Sequence, residues 1–115
     1  MTQMTPEVKD ALENSIKHWE ANVRAEHVKD TSVSSDDCAL CSLFYDKWCV
    51  GCPVALHIGD ERCRFMEYRE AADARRGWHV AIFRHGTTDS RATTHRTVWR
   101  KQAQKMVDFL KRLRN

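Results

Sequence analysis

WRKQAQKMVDFLKRL, residues 99–113, reads as helix in a single pass. Trp99, Ala103, Met106, Leu110 and Leu113 recur at spacings of four, three, four and three, the a/d seam of an amphipathic helix. Arg100, Lys101, Lys105, Lys111, Arg112 and Arg114 fall mostly outside that seam, and cations in a last turn suit the negative end of the helix dipole. The pattern predicts a helix from about residue 94 to about residue 114. A stripe of that length needs a cover.

The other end of the chain supplies one. Thr5-Pro6-Glu7 has a hydroxyl N-cap, a proline at the first helical position and an acid in the first turn. Val8, Leu12, Ile16, Trp19 and Val23 then follow at helical spacing, predicting a helix from about residue 6 to about residue 28. Glu13 with Lys17 and Glu20 with Arg24 form i,i+4 pairs along its flanks. Antiparallel packing of the two terminal helices buries both stripes.

Between them the pattern is shorter-ranged. Residues 31–37 are a polar loop, and residues 38–48 carry Leu40, Leu43, Phe44 and Trp48 at helical positions before Gly51 and Pro53 interrupt. A helical turn over 54–58 and a helix over 63–76 follow, with Phe65, Met66 and Ala72 facing inward and Tyr68 a further candidate. Residues 78–83 alternate imperfectly and read as a short strand or an ordered loop, and residues 86–94 as a polar, turn-rich link. The expected fold is mainly α. Two long amphipathic terminal helices pack together, with a cysteine-rich metal-binding segment and short helices between them, in one zinc-stabilised domain over residues 1–115.

All five cysteines lie within residues 38–63. Cys38-Ala39-Leu40-Cys41 is separated by seven residues from Cys49-Val50-Gly51-Cys52-Pro53, and Cys63 stands eleven residues beyond Cys52. Each C-x-x-C lets two sulfurs reach one ion from a single turn, and zinc takes four such ligands in a tetrahedron. Free cysteines also serve as small core hydrophobes, but five clustered thiols are poorly explained by packing. In one unbroken helix Cys41 and Cys49 would stand about 12 Å apart, whereas sulfurs on one zinc sit about 4 Å apart. Two readings therefore stay open: Cys38, Cys41, Cys49 and Cys52, or a set in which Cys63 folds back and replaces one of them, in the first place Cys49. His57 is a substitute ligand in either. An iron–sulfur cluster is the rival, although the spacings match neither ferredoxin pattern. A closed four-thiolate shell is structural rather than catalytic.

Composition narrows the setting. The 115 residues are 42% apolar and 30% charged, with a net charge of +3, which permits an acidic partner without requiring one. No apolar run approaches the ~20 residues of a membrane span. The first residues form neither the basic nor the apolar part of a secretory signal, so the expected compartment is the reducing cytoplasm, where clustered thiols bind metal.

His18-Trp19-Glu20 on the first helix, Asp36-Asp37-Cys38-Ala39-Leu40-Cys41, Cys49-Val50-Gly51-Cys52-Pro53-Val54 and a closing basic helix together resemble small cysteine-rich proteins encoded by tailed bacteriophages. The resemblance covers about two-thirds of the chain in outline, and its specific part is the cysteine motifs. It implies metal binding and action in the cytoplasm of an infected bacterium, on a host factor or a defence system. Val80-Ala81-Ile82-Phe83-Arg84-His85-Gly86 resembles the strand and Arg-His-Gly motif of histidine phosphatases. That family opens its chain with the motif and needs a second arginine and histidine far downstream, whereas only about 30 residues follow here.

Three function classes follow. The first is a non-enzymatic protein-binding module rigidified by zinc, for which a homodimer is one use of the apolar seams. The second is nucleic-acid or anion binding. Its named candidates are Arg84, His85, Arg96, Arg100 and Lys101, within a wider basic set that includes Arg75, Arg76, Arg91, Lys105, Lys111, Arg112 and Arg114, with Trp78, Phe83 or Trp99 alongside. Nucleotide sequestration by Arg84, His85 and Trp78 is a variant of it. The third is an enzyme, resting only on an inventory of histidines at His18, His27, His79, His85 and His95.

Overall fold

The computed structural model describes residues 5–33 and 66–114. The five cysteines, His57 and the helical segments expected over 38–48 and 54–58 lie outside the described residues, as does the expected helix start at Cys63. Three helices and one short turn make up the described part: α1 (Pro6–Arg24), a 3₁₀ turn (Val28–Asp30), α2 (Met66–His85) and α3 (Ser90–Arg112). α3 packs against both other helices, and the 3₁₀ turn lies against α2.

α1 begins as its sequence dictates. The Thr5 hydroxyl accepts the Val8 N–H at 3.2 Å, and Pro6 fills a position whose N–H would have no helical partner. Leu12, Ile16 and Trp19 are buried, Val8 and Val23 half-buried, and Ala11, Ser15 and Asn22 complete the inner face. The helix ends at Arg24, not near residue 28. The Asn22 carbonyl, which would accept the N–H of residue 26, instead accepts the Trp99 indole N–H at 3.0 Å and the Ala25 N–H at 3.4 Å. Ala25 is extended, and the chain turns into the 3₁₀ segment.

α3 carries the expected seam: Trp99, Ala103, Met106 and Leu110 are buried and Leu113 half-buried. Ala92, Val107 and Phe109 widen it. The helix starts four residues earlier than its seam suggested, because Asp89 is the N-cap and its carboxylate accepts the Arg91 N–H at 2.8 Å. α1 and α3 run antiparallel. Glu13, Glu20 and Asn22 rise along α1 while their partners Arg114, Lys111 and Trp99 descend along α3. Glu13 and Glu20 thus form their ion pairs across to α3, while Lys17, one turn along α1, adds its attraction at Glu13. Arg114 donates through Nε and Nη2 to the two Glu13 oxygens, both at 2.6 Å, which holds that carboxyl below its usual range. The pair is exposed, so its share of stability is small.

Residues 77–85 correct the sequence reading most sharply, since the expected strand or loop is the second half of a 20-residue helix. The helical signal sits in small residues: Ala71, Ala74, Trp78 and Ala81 are buried at spacings of three, four and three. Alanines give little hydrophobic contrast, so the larger residues of 78–83 dominated the pattern with their false alternation. Ala72, expected inward, is only half-buried. An alanine face lets α3 approach closely, and a Cβ built on Gly77 would meet Nδ1 of His95 at 3.0 Å. That imidazole is exposed and can swing aside. Gly77→Ala is therefore expected to stabilise the protein by about 0.5–1 kcal/mol through helix propensity, read as a higher midpoint of thermal unfolding. A lower midpoint would show that the His95 ring is fixed.

α2 stops at Gly86, whose φ of +89° is open to glycine at no steric cost and whose N–H reaches the Ile82 carbonyl at 2.8 Å. Only Gly86, Thr87, Thr88 and Asp89 separate the two helices, so α2 and α3 form an antiparallel hairpin.

Candidate functional site

Two polar constructions stand out on this frame, one inside and one at the surface. The internal one grips residues 28–33. Asn22, 2% exposed, donates its side-chain amide to the Ser32 carbonyl at 2.9 Å and accepts the Ser32 N–H on its oxygen at 3.1 Å. These paired bonds fix the orientation of the amide. Nε2 of His18 lies 3.0 Å from the same carbonyl, which can only accept, so that nitrogen carries the proton. From α2, Arg75 donates Nε to the Thr31 hydroxyl at 2.8 Å and Nη2 to the Thr31 and Val28 carbonyls at 3.2 and 3.4 Å. The chain is thereby fixed between α1 and α2 up to Ser32, six residues before the first cysteine of the sequence. Arg75 is consumed in this brace and is withdrawn from the basic surface.

The surface construction is a groove of about 440 Å³ between α2 and α3, at the hairpin end. Arg76, Arg84 and His85 line it from α2, Arg91 and His95 from α3, with Asp73 as its carboxylate among the described residues. Gly77, Val80 and Ala81 supply apolar lining. The helical spacing 73, 76, 80, 84 puts the α2 contributors on one face, and 91, 95 does the same on α3. Arg91 is engaged with Asp89 at 3.0 Å, while Arg76 and Arg84 form no ion pair among the described residues. Beside the groove Phe83 is 87% exposed, three residues after Val80 and seven after Arg76, hence on the same side of the helix.

Of the sequence candidates, Arg84 and His85 meet in this groove. Arg96, Arg100 and Lys101 do not line it. Arg96 and Arg100 are half-buried, and Lys101, about 100° further round α3 than Arg100, is exposed. Of the three aromatic companions considered for a nucleic-acid surface, Trp78 and Trp99 are 2% and 0% exposed core residues, and Phe83 is 87% exposed. Arg76, Arg91 and His95 enter the site because residues 77–95 are helix, turn and helix; read as strand or loop, their spacing carried no signal. The end of the apparent phosphatase motif is likewise helical, with Arg84 and His85 both exposed on the last turn of α2.

Three of the other cations are committed elsewhere. Lys111 and Arg114 pair with Glu20 and Glu13, and the Arg112 guanidinium stands 6.0 Å from the Phe109 ring centre. A second cleft of about 620 Å³ mixes Glu70 and Asp108 with Lys105, Lys111 and Arg112 and has no dominant sign.

Asp89 marks the hairpin electrostatically. Hydrogen bonds from the Arg91 side chain and then from its backbone N–H lower the Asp89 pKa to about 2. A carboxyl depressed in the folded state contributes stability that is full above the unfolded value of about 3.9 and is lost as pH falls through the folded value. Asp89→Ala is expected to lower the thermal midpoint by a few degrees at pH 7, with the gap to wild type closing towards pH 2. A gap unchanged over that range would remove the ionised cap from the account.

Among the described residues, no three His, Cys, Asp or Glu side chains gather as a metal site, and no helix is long and apolar enough to cross a membrane. Comparison with protein-family models, curated proteins and solved structures finds no match to this chain.

Proposed function

We propose that this chain is a small non-enzymatic binding module, a helical frame stabilised by structural zinc at its cysteine motifs, that engages a protein partner through the outer face of the α2–α3 hairpin. The observation that carries the reading is Phe83. It is 87% exposed on a helix whose opposite face is buried. An aromatic ring left in water beside Val80, Arg76 and Arg84 has the composition of an interface anchor, since aromatics and arginine are enriched where binding energy concentrates. The cysteine spacing supports zinc, with Cys38 and Cys41 the first-choice ligands and Cys49, Cys52 and Cys63 supplying the rest. The likeness of those motifs to phage cysteine-rich proteins supports action in the cytoplasm of a bacterial host, against a host factor or a defence system.

Affinity capture from a bacterial host lysate, comparing wild type with Phe83→Ala, tests the reading. A protein retained by wild type and lost from the variant is the expected result. A partner held equally by both would move the binding face elsewhere.

A further inference from the structure

We infer that the groove beside Phe83 receives an acidic peptide segment, rich in Asp or Glu and interleaved with apolar residues; the inference rests on the binding-module reading and names the chemistry of its partner. Three guanidinium groups and two imidazoles line it against the Asp73 carboxylate, and of the three guanidiniums Arg91 is already paired with Asp89. Arginine offers a planar fork that matches a carboxylate in two parallel hydrogen bonds, and Arg76 and Arg84 have none of their own carboxylates engaged among the described residues. Gly77, Val80 and Ala81 between those cations suit apolar side chains, and Phe83 extends the apolar contact past the rim.

The arrangement of the remaining cations favours a peptide over a nucleic acid. A polynucleotide presents charge at every step, and affinity for it grows with the number of phosphates neutralised along a track. Among the described residues the unpaired cations do not continue into a track. Arg75 is bound to the 3₁₀ turn, Lys111 and Arg114 face α1 carboxylates, and Arg96, Arg100 and Lys101 lie off the groove. One compact cluster two helical turns long matches a few carboxylates. Of the three aromatics considered for stacking on bases, Trp78 and Trp99 are in the core and Phe83 alone is exposed, one ring where a stacking platform takes successive bases.

The test is fluorescence anisotropy on the full chain with three labelled probes: a 12-residue alternating Glu-Leu peptide, its Lys-Leu counterpart and a 12-nucleotide oligothymidylate. The Glu-Leu peptide is expected to bind, more weakly as salt rises, and to bind better than either other probe. Arg76→Glu with Arg84→Glu should weaken it by about ten-fold or more with helical circular dichroism unchanged. Should charge reversal disturb the helices, Arg76→Gln with Arg84→Gln replaces it, and a loss of about five-fold is expected. Failure of the Glu-Leu peptide to bind, tighter binding of oligothymidylate, or indifference to the arginine variants would each overturn the inference. A host protein captured through Phe83 but indifferent to Arg76 and Arg84 would also sink it while leaving the binding module standing. Peptide binding with no captured partner lost from Phe83→Ala would sink the module reading instead.

Discussion

Trp99→Ala is expected to leave the chain largely unfolded at physiological temperature. The indole is 0% exposed, stacks at a tilt on Trp19 with ring centres 6.0 Å apart, and donates to the Asn22 carbonyl at 3.0 Å. Removing a buried aromatic side chain to alanine costs about 3–5 kcal/mol in lost burial and residual cavity. Loss of the indole N–H adds about 1 kcal/mol or more at a carbonyl left with one long bond. Domains of this size are stable by only about 5–15 kcal/mol, so the change takes a large share of what is there. The damage also spreads, because the same carbonyl ends α1 and the Asn22 side chain holds Ser32. Thermal unfolding followed by near- and far-ultraviolet circular dichroism reads the outcome, and a midpoint within a few degrees of wild type would contradict it. Trp99→Phe keeps most of the burial and loses the hydrogen bond. Its expected cost is about 1–2 kcal/mol.

Loss of the proposed zinc is expected to have a comparable effect by a different route. A closed thiolate shell has no counterpart in the unfolded chain, so its binding free energy, about 10–16 kcal/mol in small zinc peptides, is folding free energy. Cys38→Ser, Cys41→Ser or treatment with a strong chelator should therefore unfold or aggregate the protein. The frame gives a reason for the effect to propagate. Val28 to Ser32 are held by Asn22, His18 and Arg75 just ahead of the cysteine motifs in sequence, and α2 begins three residues after Cys63. A folded, metal-free Cys38→Ser variant would remove structural zinc from the account.

The sequence was most legible where residues are large and periodic. Leu12, Ile16 and Trp19 on α1 and Trp99, Met106 and Leu110 on α3 announce their faces, and those faces meet. It was least legible in α2, where alanines do the packing and a glycine sits inside the helix. That single misreading also hid the groove, because Arg76, Arg84, Arg91 and His95 converge only when residues 77–95 are two helices and a turn. Asn22 shows a different limit. Its place on the inner stripe is readable from spacing, but its paired bonds to Ser32 depend on a turn ten residues away that no local pattern specifies.

Thiolate ligation of zinc by the cysteine motifs is the central chemical claim, and the metal content of the purified chain tests it most directly. Elemental analysis is expected to find one zinc per chain in a colourless protein. Iron with a brown visible spectrum, or a folded protein carrying no metal at all, would contradict it.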